Sequence, residues 1–472
     1  MTTKHALTLV ALVGTAAWLS AATPAPAPPF GDADYALPQA QEQSLSVMMI
    51  GKGQAGPHLA VPPFVVLTAD QATQDASRTL TTVLNADLKF EREFDVMPAT
   101  SYTGIPAAQS ADDLPYERWA QLGADFVALG NVKAAAGGKY DVELRVISVR
   151  EKRQAFGSAF SADARGLRRV AHMFSDGMHK TMRGVDGIAT TKIAFTSTRD
   201  GERIGKTVEE RAAKEIYIMD YDGANQVRVT PHRSLDISPS WCPDGSCLAY
   251  MSYLTGFPDI MVQNLYGQIG FTRPAHGSET VHNYLPRFSP DGTKIAYGST
   301  RNGQAMDIYV VNRDGSGERR LTNHPKNDGA PTWSPSGNLI AFTSDRSGSL
   351  QIYTMNTDGG QVQVVENSCS HCDRPTFAPG TNGLLLAYST QTGPGHDIEF
   401  YDFSSRQARR LTNGEGTNES PSFSPNGRHV MFFTTGGSGK SQIAVVDIDG
   451  KNVRILTKDG ENSFPNWSGF LK

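Results

Sequence analysis

Apolar and polar positions along this chain follow two regimes. From about residue 190 onward, apolar runs of four or five residues alternate with polar turns that carry glycine. Ile295-Ala-Tyr-Gly-Ser299, Ile340-Ala-Phe-Thr-Ser344 and Val430-Met-Phe-Phe-Thr434 are such runs. Each is followed by a polar loop and a second run: Ile308-Tyr-Val-Val311, Ile352-Tyr-Thr-Met355 or Ile443-Ala-Val-Val446. Asp314-Gly315, Asp358-Gly359 and Asp449-Gly450 then supply hairpin turns, because glycine accepts the positive φ such turns require. A last short run ends in Leu321-Thr322, Leu411-Thr412 or Leu456-Thr457. Runs rich in β-branched and aromatic residues between turn signals predict strands.

One more strand opens each unit, with the form Pro-x-aromatic-x-Pro. It reads Pro239-Ser-Trp241-Cys-Pro243, Pro286-Arg-Phe288-Ser-Pro290, Pro331-Thr-Trp333-Ser-Pro335 and Pro421-Ser-Phe423-Ser-Pro425. Degenerate copies stand at Pro375-Thr-Phe377-Ala-Pro379 and Pro465-Asn-Trp467-Ser-Gly469. The first prolines lie at 239, 286, 331, 375, 421 and 465, so the steps are 47, 45, 44, 46 and 44. Four short strands in a repeat of that length predict the blades of a β-propeller. The first unit begins at Lys192-Ile-Ala-Phe195 without a Pro-aromatic strand, and the last such strand, at Trp467, has only a short tail after it. Pairing the two closes a ring of six blades and removes the exposed sheet edges.

Residues 45–187 do not repeat. Ala76, Leu80, Leu84 and Leu88 are spaced by four and mark an amphipathic helix. Leu167, Val170, Ala171, Phe174, Met178 and Met182 share one face of a second helix. Val47–Ile50, Phe64–Leu67, Phe126–Leu129, the alternating Val142, Leu144 and Val146, and Phe156–Phe160 read as strands. The expected architecture is a small α/β domain over 45–187, then an all-β six-bladed propeller of WD40-like repeats over 190–472.

Composition narrows the setting. The 472 residues carry 39% apolar residues and a formal net charge of −4, which gives no field to attract nucleic acid. Lys4 and His5 precede an apolar stretch, Ala6–Leu19, and Ser20-Ala21-Ala22 offers small residues for cleavage. An export signal over 1–22, cleaved near Ala22, is expected, with no membrane span left afterwards. A Pro/Ala-rich tether over 23–44 follows. In an oxidising compartment Cys242 with Cys247, and Cys369 with Cys372, are candidate disulfides. Cys369-Ser-His-Cys372 also reads as half a zinc site, but no second pair has matching spacing. Haem attachment needs histidine after the second cysteine, where this chain has Asp373.

Catalytic signals are weak. Gly436-Gly-Ser-Gly-Lys-Ser441 resembles the end of a phosphate loop, but Thr434 replaces its first glycine and the segment joins two strands. Asp220-Tyr-Asp222-Gly223 and Asp447-Ile-Asp449-Gly450 lack the distant carboxylate of a calcium loop. No Gly-x-Ser-x-Gly elbow occurs. No catalytic residue, cofactor or metal is expected. A binding scaffold remains, with a propeller enzyme or a saccharide- or peptide-binding protein using the channel as the alternative.

The residue three before each blade's first proline approaches one mouth of the channel. These residues are Asp236, Asn283, Asp328, Cys372, Asn418 and Asn462, with His282 and His371 beside them. They form an expected polar ring for hydrogen-bonding an inserted protein or peptide; strand-start turn residues are the other reading of Asp and Asn there.

Ser234-Leu-Asp-Ile-Ser-Pro-Ser-Trp241, Leu248-Ala-Tyr-Met-Ser-Tyr253 and Asn283-Tyr-Leu-Pro-Arg-Phe-Ser-Pro-Asp-Gly292 resemble text of the TolB family, periplasmic propeller components of the Tol–Pal system. The junction from Arg169-Val-Ala-His172 to Lys192-Ile-Ala-Phe195 does so too. The resemblance covers nearly all of the mature chain. It implies a non-enzymatic periplasmic monomer, active in outer-membrane integrity and constriction at division. Two partners are implied, the peptidoglycan-associated lipoprotein and a TolA-like protein. By position, His282, Asn283, Gly329 and Ala330 match the lipoprotein-facing loops. Ser44, Leu45, Ser46, Val47, Met48, Met49 and Ile50 match the TolA-binding strand. The long tether, the Cys369–Cys372 pair and the Arg203–Lys214 insertion depart from the family pattern.

Overall fold

A computed structural model describes residues 56–471, apart from 203–211, 267–269, 304, 367–368, 370, 381–383 and 437–438. The export signal, the tether and Ser44–Ile50 lie outside the described residues.

In the first domain, α1 (Gln71–Glu91) starts where Asp70 Oδ1 accepts the Thr73 N–H at 2.8 Å. It stops at Arg92, whose left-handed backbone (φ 57°) lets its N–H return to the Leu88 carbonyl at 3.2 Å. Strands β1 (His58–Ala60), β2 (Val65–Val66), β3 (Asp95–Val96), β4 (Phe126–Ala134), β5 (Lys139–Ser148) and β6 (Arg153–Asp163) form one sheet in the order β3-β1-β4-β5-β6, with β2 beside β4. The strands alternate between two covered faces, as their period of two dictates. Ala128, Val132, Val142, Leu144 and Val146 pack under α1 and α3 (Leu167–Met178). Val127, Leu129 and Ile147 pack under Trp119, which sits on the short α2 (Tyr116–Gln121), and under Tyr102.

The propeller has six four-stranded blades. Blade 1 is completed by the chain's end: Asn462–Trp467 pairs antiparallel with Lys192–Ser197, matching Trp467 with Ile193. Blades 2 to 6 take their innermost strands from Asp236–Trp241, Asn283–Phe288, Asp328–Trp333, Cys372–Phe377 and Asn418–Phe423. The aromatic of this strand ties neighbouring blades together. Trp241 Nε1–H donates to the Asn466 carbonyl, and Trp333 Nε1–H to the Arg287 carbonyl, both at 3.1 Å.

Every innermost strand carries one residue too many. In blade 2, Ile237 pairs Met251 and Ser240 pairs Ala249, so Ser238 and Pro239 oppose Tyr250 alone. The bulge residue before each proline is left-handed: Ser238 (φ 58°), Leu285 (54°), Ala330 (47°), Arg374 (57°), Ser420 (58°) and Phe464 (51°). A bulge bends a strand and increases its twist, here beside the axis. Proline follows because it has no N–H to leave unpaired there.

Candidate partner-binding face

The six ring positions each begin an innermost strand, as the repeat spacing places them. Their side chains do not stand in solvent. Asp236, Asn283, Asp328, Cys372 and Asn462 are fully buried, and Asn418 is 4% exposed. The polar ring is a buried one. The physical reason is local: in blades 2, 3 and 4 the end of the second strand lies beside the first and supplies partners, and Asn418 and Asn462 also bond the third strand of the preceding blade. Ser252 Oγ–H donates to Asp236 Oδ1 at 2.5 Å, and Ser299 Oγ–H to Asn283 Oδ1 at 2.7 Å. Arg346 binds Asp328 at 2.7 Å, and Asn418 donates to Asp397 at 3.2 Å. Asn462 donates to Gln442 at 3.0 Å and accepts from Arg199 at 3.1 Å. Cys372 is joined to Cys369 (Cα–Cα 6.1 Å), as Cys242 is to Cys247 (5.2 Å).

These bonds do not satisfy every ring atom. Asp236 Oδ2, Asn283 Nδ2 and Asp328 Oδ1, on the consecutive blades 2, 3 and 4, are buried without a hydrogen-bond partner among the described residues. Buried polar atoms are almost always paired, so such a group marks where an internal water adds a bond. Beside them Gly329 and Ala330 are buried, while His282 and His371 are half-buried. His282 packs edge-on against Tyr284, with centroids 6.2 Å apart. His371 neighbours His396, which approaches Glu419 at 3.3 Å.

The same mouth holds an acidic pair the repeat phrase does not reveal. Burial pushes Glu215 up to about 7 and Asp236 up to about 6, although Arg228 lies 2.8 Å from Glu215. The sequence signal missed was the Ser-x-Arg that closes several second strands: Ser197-Thr-Arg199, Ser299-Thr-Arg301 and Ser344-Asp-Arg346. In blades 1 and 4 its arginine reaches back to the ring residue.

The first domain occupies the opposite end of the channel. Asn418 begins its strand at the mouth, whereas Asn426, just past the far end of that strand, bonds Glu91 of α1 at 3.3 Å. Three elements converge there on Asp87. Its carboxylate accepts from Tyr221 Oη at 2.6 Å and from His172 Nδ1 at 2.8 Å. His172 Nε2 stands 3.8 Å from Asp220, which also holds Lys192. Burial opposes the His172 imidazolium, but Asp87 and Asp220 outweigh it and hold its pKa up to about 9. Arg92 binds Asp447 at 2.7 Å, Arg428 binds Glu93, and Arg454 covers the Phe90 ring at 3.8 Å. Asp87, His172 and Asp222 bring ligand atoms within 4.8 Å of one another, as a metal site would. Arg168, 2.6 Å from Asp222, and Lys192 already supply positive charge there, so an ion-pair network accounts for the cluster.

The chain matches the family model of the TolB amino-terminal domain over residues 45–155 and that of the TolB beta propeller domain over residues 179–471. The Tol-Pal system protein TolB of Bordetella pertussis is 34% identical over 413 residues, which is 87% of this chain and 89% of the relative. The protein of the same name from Bordetella bronchiseptica is also 34% identical, over 87% of this chain and 88% of its own. The crystal structure of TolB from Acinetobacter baumannii shares the fold, with a TM-score of 0.71 over 88% of this chain and 98% of that one, at 24% identity.

Proposed function

This chain belongs to the TolB family, and on that premise we propose that it is a non-enzymatic periplasmic scaffold of a Tol–Pal system. In this reading it holds a peptidoglycan-associated lipoprotein at the free mouth of the propeller. It engages a TolA-like protein through Ser44–Ile50, and the assembly supports outer-membrane integrity and constriction at division. The curated relatives named as Tol-Pal system proteins support the system assigned. One structural observation supports the face: at the mouth opposite the first domain, His282 and His371 stand half-buried at the rim above the buried polar ring. An inserted loop with backbone N–H and C=O groups would meet these rim imidazoles, each of which can donate or accept a hydrogen bond.

Capture from envelope extracts tests both contacts separately. His282→Ala is expected to weaken recovery of the lipoprotein while leaving the melting temperature unchanged. Deleting residues 44–50 is expected to remove TolA-like protein from the eluate and spare the lipoprotein. Lipoprotein capture at the wild-type level by His282→Ala and His371→Ala alike would move the contact to another face.

A further inference from the structure

The channel itself carries a feature that neither end explains. Midway along the axis, Ser238, Leu285, Arg287, Arg374, Ser420 and Phe464 surround a cavity of about 20 Å3, room for a single water-sized species. Two of these side chains are guanidiniums. Arg374 is fixed by three contacts: Asp373 at 3.3 Å, the Ser420 hydroxyl at 3.1 Å, and the Phe464 ring, 4.4 Å from its centroid. Arg287 is different. Its Nη1 donates to the carbonyls of Pro239, at 3.2 Å, and Pro286, at 3.5 Å. Among the described residues, no carboxylate forms an ion pair with it. Burial, and then the Arg374 charge, pull its pKa down to about 10.

The third component is a hydroxyl. Ser238 is 2% exposed, and its Oγ has no hydrogen-bond partner among the described residues. Its backbone is left-handed, so the bulge sets it beside the axis. Guanidinium N–H groups and a serine O–H are all donors. Arg287 and Arg374 are both partly buried; a partly buried cation without a counter-charge carries a desolvation cost, and a second cation beside it raises that cost. Donors converging on a cavity of one-atom size, with excess positive charge, match a compact anion and oppose any cation.

We propose that the propeller axis holds a small inorganic monovalent anion of chloride size, bound by the Arg287 and Arg374 guanidiniums and the Ser238 hydroxyl. The anion neutralises the axis where all six blades meet, so it acts as an ionic hub for the ring. This inference stands on the cavity alone and is independent of the partners proposed above.

Bromide is the probe. Crystals of the full chain grown in bromide are expected to show an anomalous peak between Arg287 and Ser238. In solution, chloride-35 line broadening by the full chain is expected to be displaced by bromide. The Arg287→Gln variant should weaken that binding at least tenfold, and Ser238→Ala should weaken it several-fold. Replacing chloride by gluconate at constant ionic strength should lower the melting temperature of the wild type and leave that of Arg287→Gln unmoved. Should Arg287→Gln fail to fold, Ser238→Ala and the bromide peak still decide the matter. Bromide confined to the outer surface, or broadening equal in the wild type and Ser238→Ala, overturns the proposal.

Discussion

The two ends of the propeller axis are both built from buried polar side chains, but they draw their partners from different places. At the end facing the first domain, partners are remote in sequence. His172 reaches Asp87 across 85 residues, Tyr221 reaches the same carboxylate across 134, and Arg92 reaches Asp447 across 355. At the mouth, Asp236, Asn283 and Asp328 are bonded from within their own blades, across 16, 16 and 18 residues. A remote partner ties one domain to another, whereas a local one only shapes a blade. The first end is thus a closed joint. The second is bonded within its blades and carries half-buried side chains, His282 and His371, at its rim, where a partner would meet it.

The joint should therefore fail hardest. Asp87→Ala leaves His172 and Tyr221 facing each other without the carboxylate between them. Breaking a buried pair by removing one member costs about 3–5 kcal/mol. Denaturant unfolding should show that loss, and hydrogen exchange should quicken first along α1 and α3. A change below about 1 kcal/mol would mean that the joint is held by the apolar contacts of Phe90 instead.

The pH response separates the two ends next. His172 is raised from 6.5 to about 9, so its stabilisation is complete below about 6.5 and is lost as pH climbs through 9. The amount is on the order of 3 kcal/mol. Glu215 and Asp236 are raised as well, to about 7 and 6. Their favourable contribution is complete below about 4 and disappears as pH rises through 6 to 7. Melting curves should thus fall in two windows. Glu215→Gln should flatten part of the lower window, to which Asp176 beside the joint, also pushed up to about 6 by burial, contributes as well, and His172→Gln should flatten the upper one. A single window, or both variants acting on the same one, breaks the distinction between joint and mouth.

Substitutions at the mouth should sort by burial. Asp328→Lys sets a second cation beside Arg346, which is 17% exposed, and is expected to destabilise the fold along with any binding. His282→Ala removes a half-buried ring that makes an edge contact with Tyr284. It should lower lipoprotein affinity by about tenfold, near 1.4 kcal/mol, while unfolding stays unchanged. Equal effects of the two variants on stability would remove the difference drawn between ring and rim.

Legibility in the sequence follows the same local and remote division. Blade count and circular closure were readable because each blade repeats its own turn chemistry and the missing strand of one end appears at the other. The Pro-aromatic phrase even places all six ring residues. Their burial was not readable, because Asp and Asn look alike whether they bond a serine one strand away or a partner. The joint left no local trace. Asp87 sits one position before Leu88 on an ordinary apolar stripe, and its partners are set by how the domains dock. The axis was also hidden. Left-handed backbone is usually announced by glycine, but these bulges use Ser, Leu, Ala, Arg and Phe, and only the following proline marks them.

That last point yields the smallest effect expected, on the axis that joins the two ends. Ala330 is left-handed with φ 47° and 9% exposed. A non-glycine residue in this conformation costs about 1–2 kcal/mol. Ala330→Gly removes that strain. It also forfeits one buried methyl, about 0.8 kcal/mol, and loosens the unfolded chain by about 0.4–1 kcal/mol. The sum is close to zero, so stability should move by no more than about 0.5 kcal/mol. Ala330→Val keeps the backbone demand and adds a branched side chain that tolerates it poorly, so a loss above about 2 kcal/mol is expected. If the glycine variant were instead destabilised as much as the valine one, the bulge would depend on the alanine methyl rather than on the backbone turn. Such a result would make side-chain packing, and not backbone geometry, the element that separates mouth from joint.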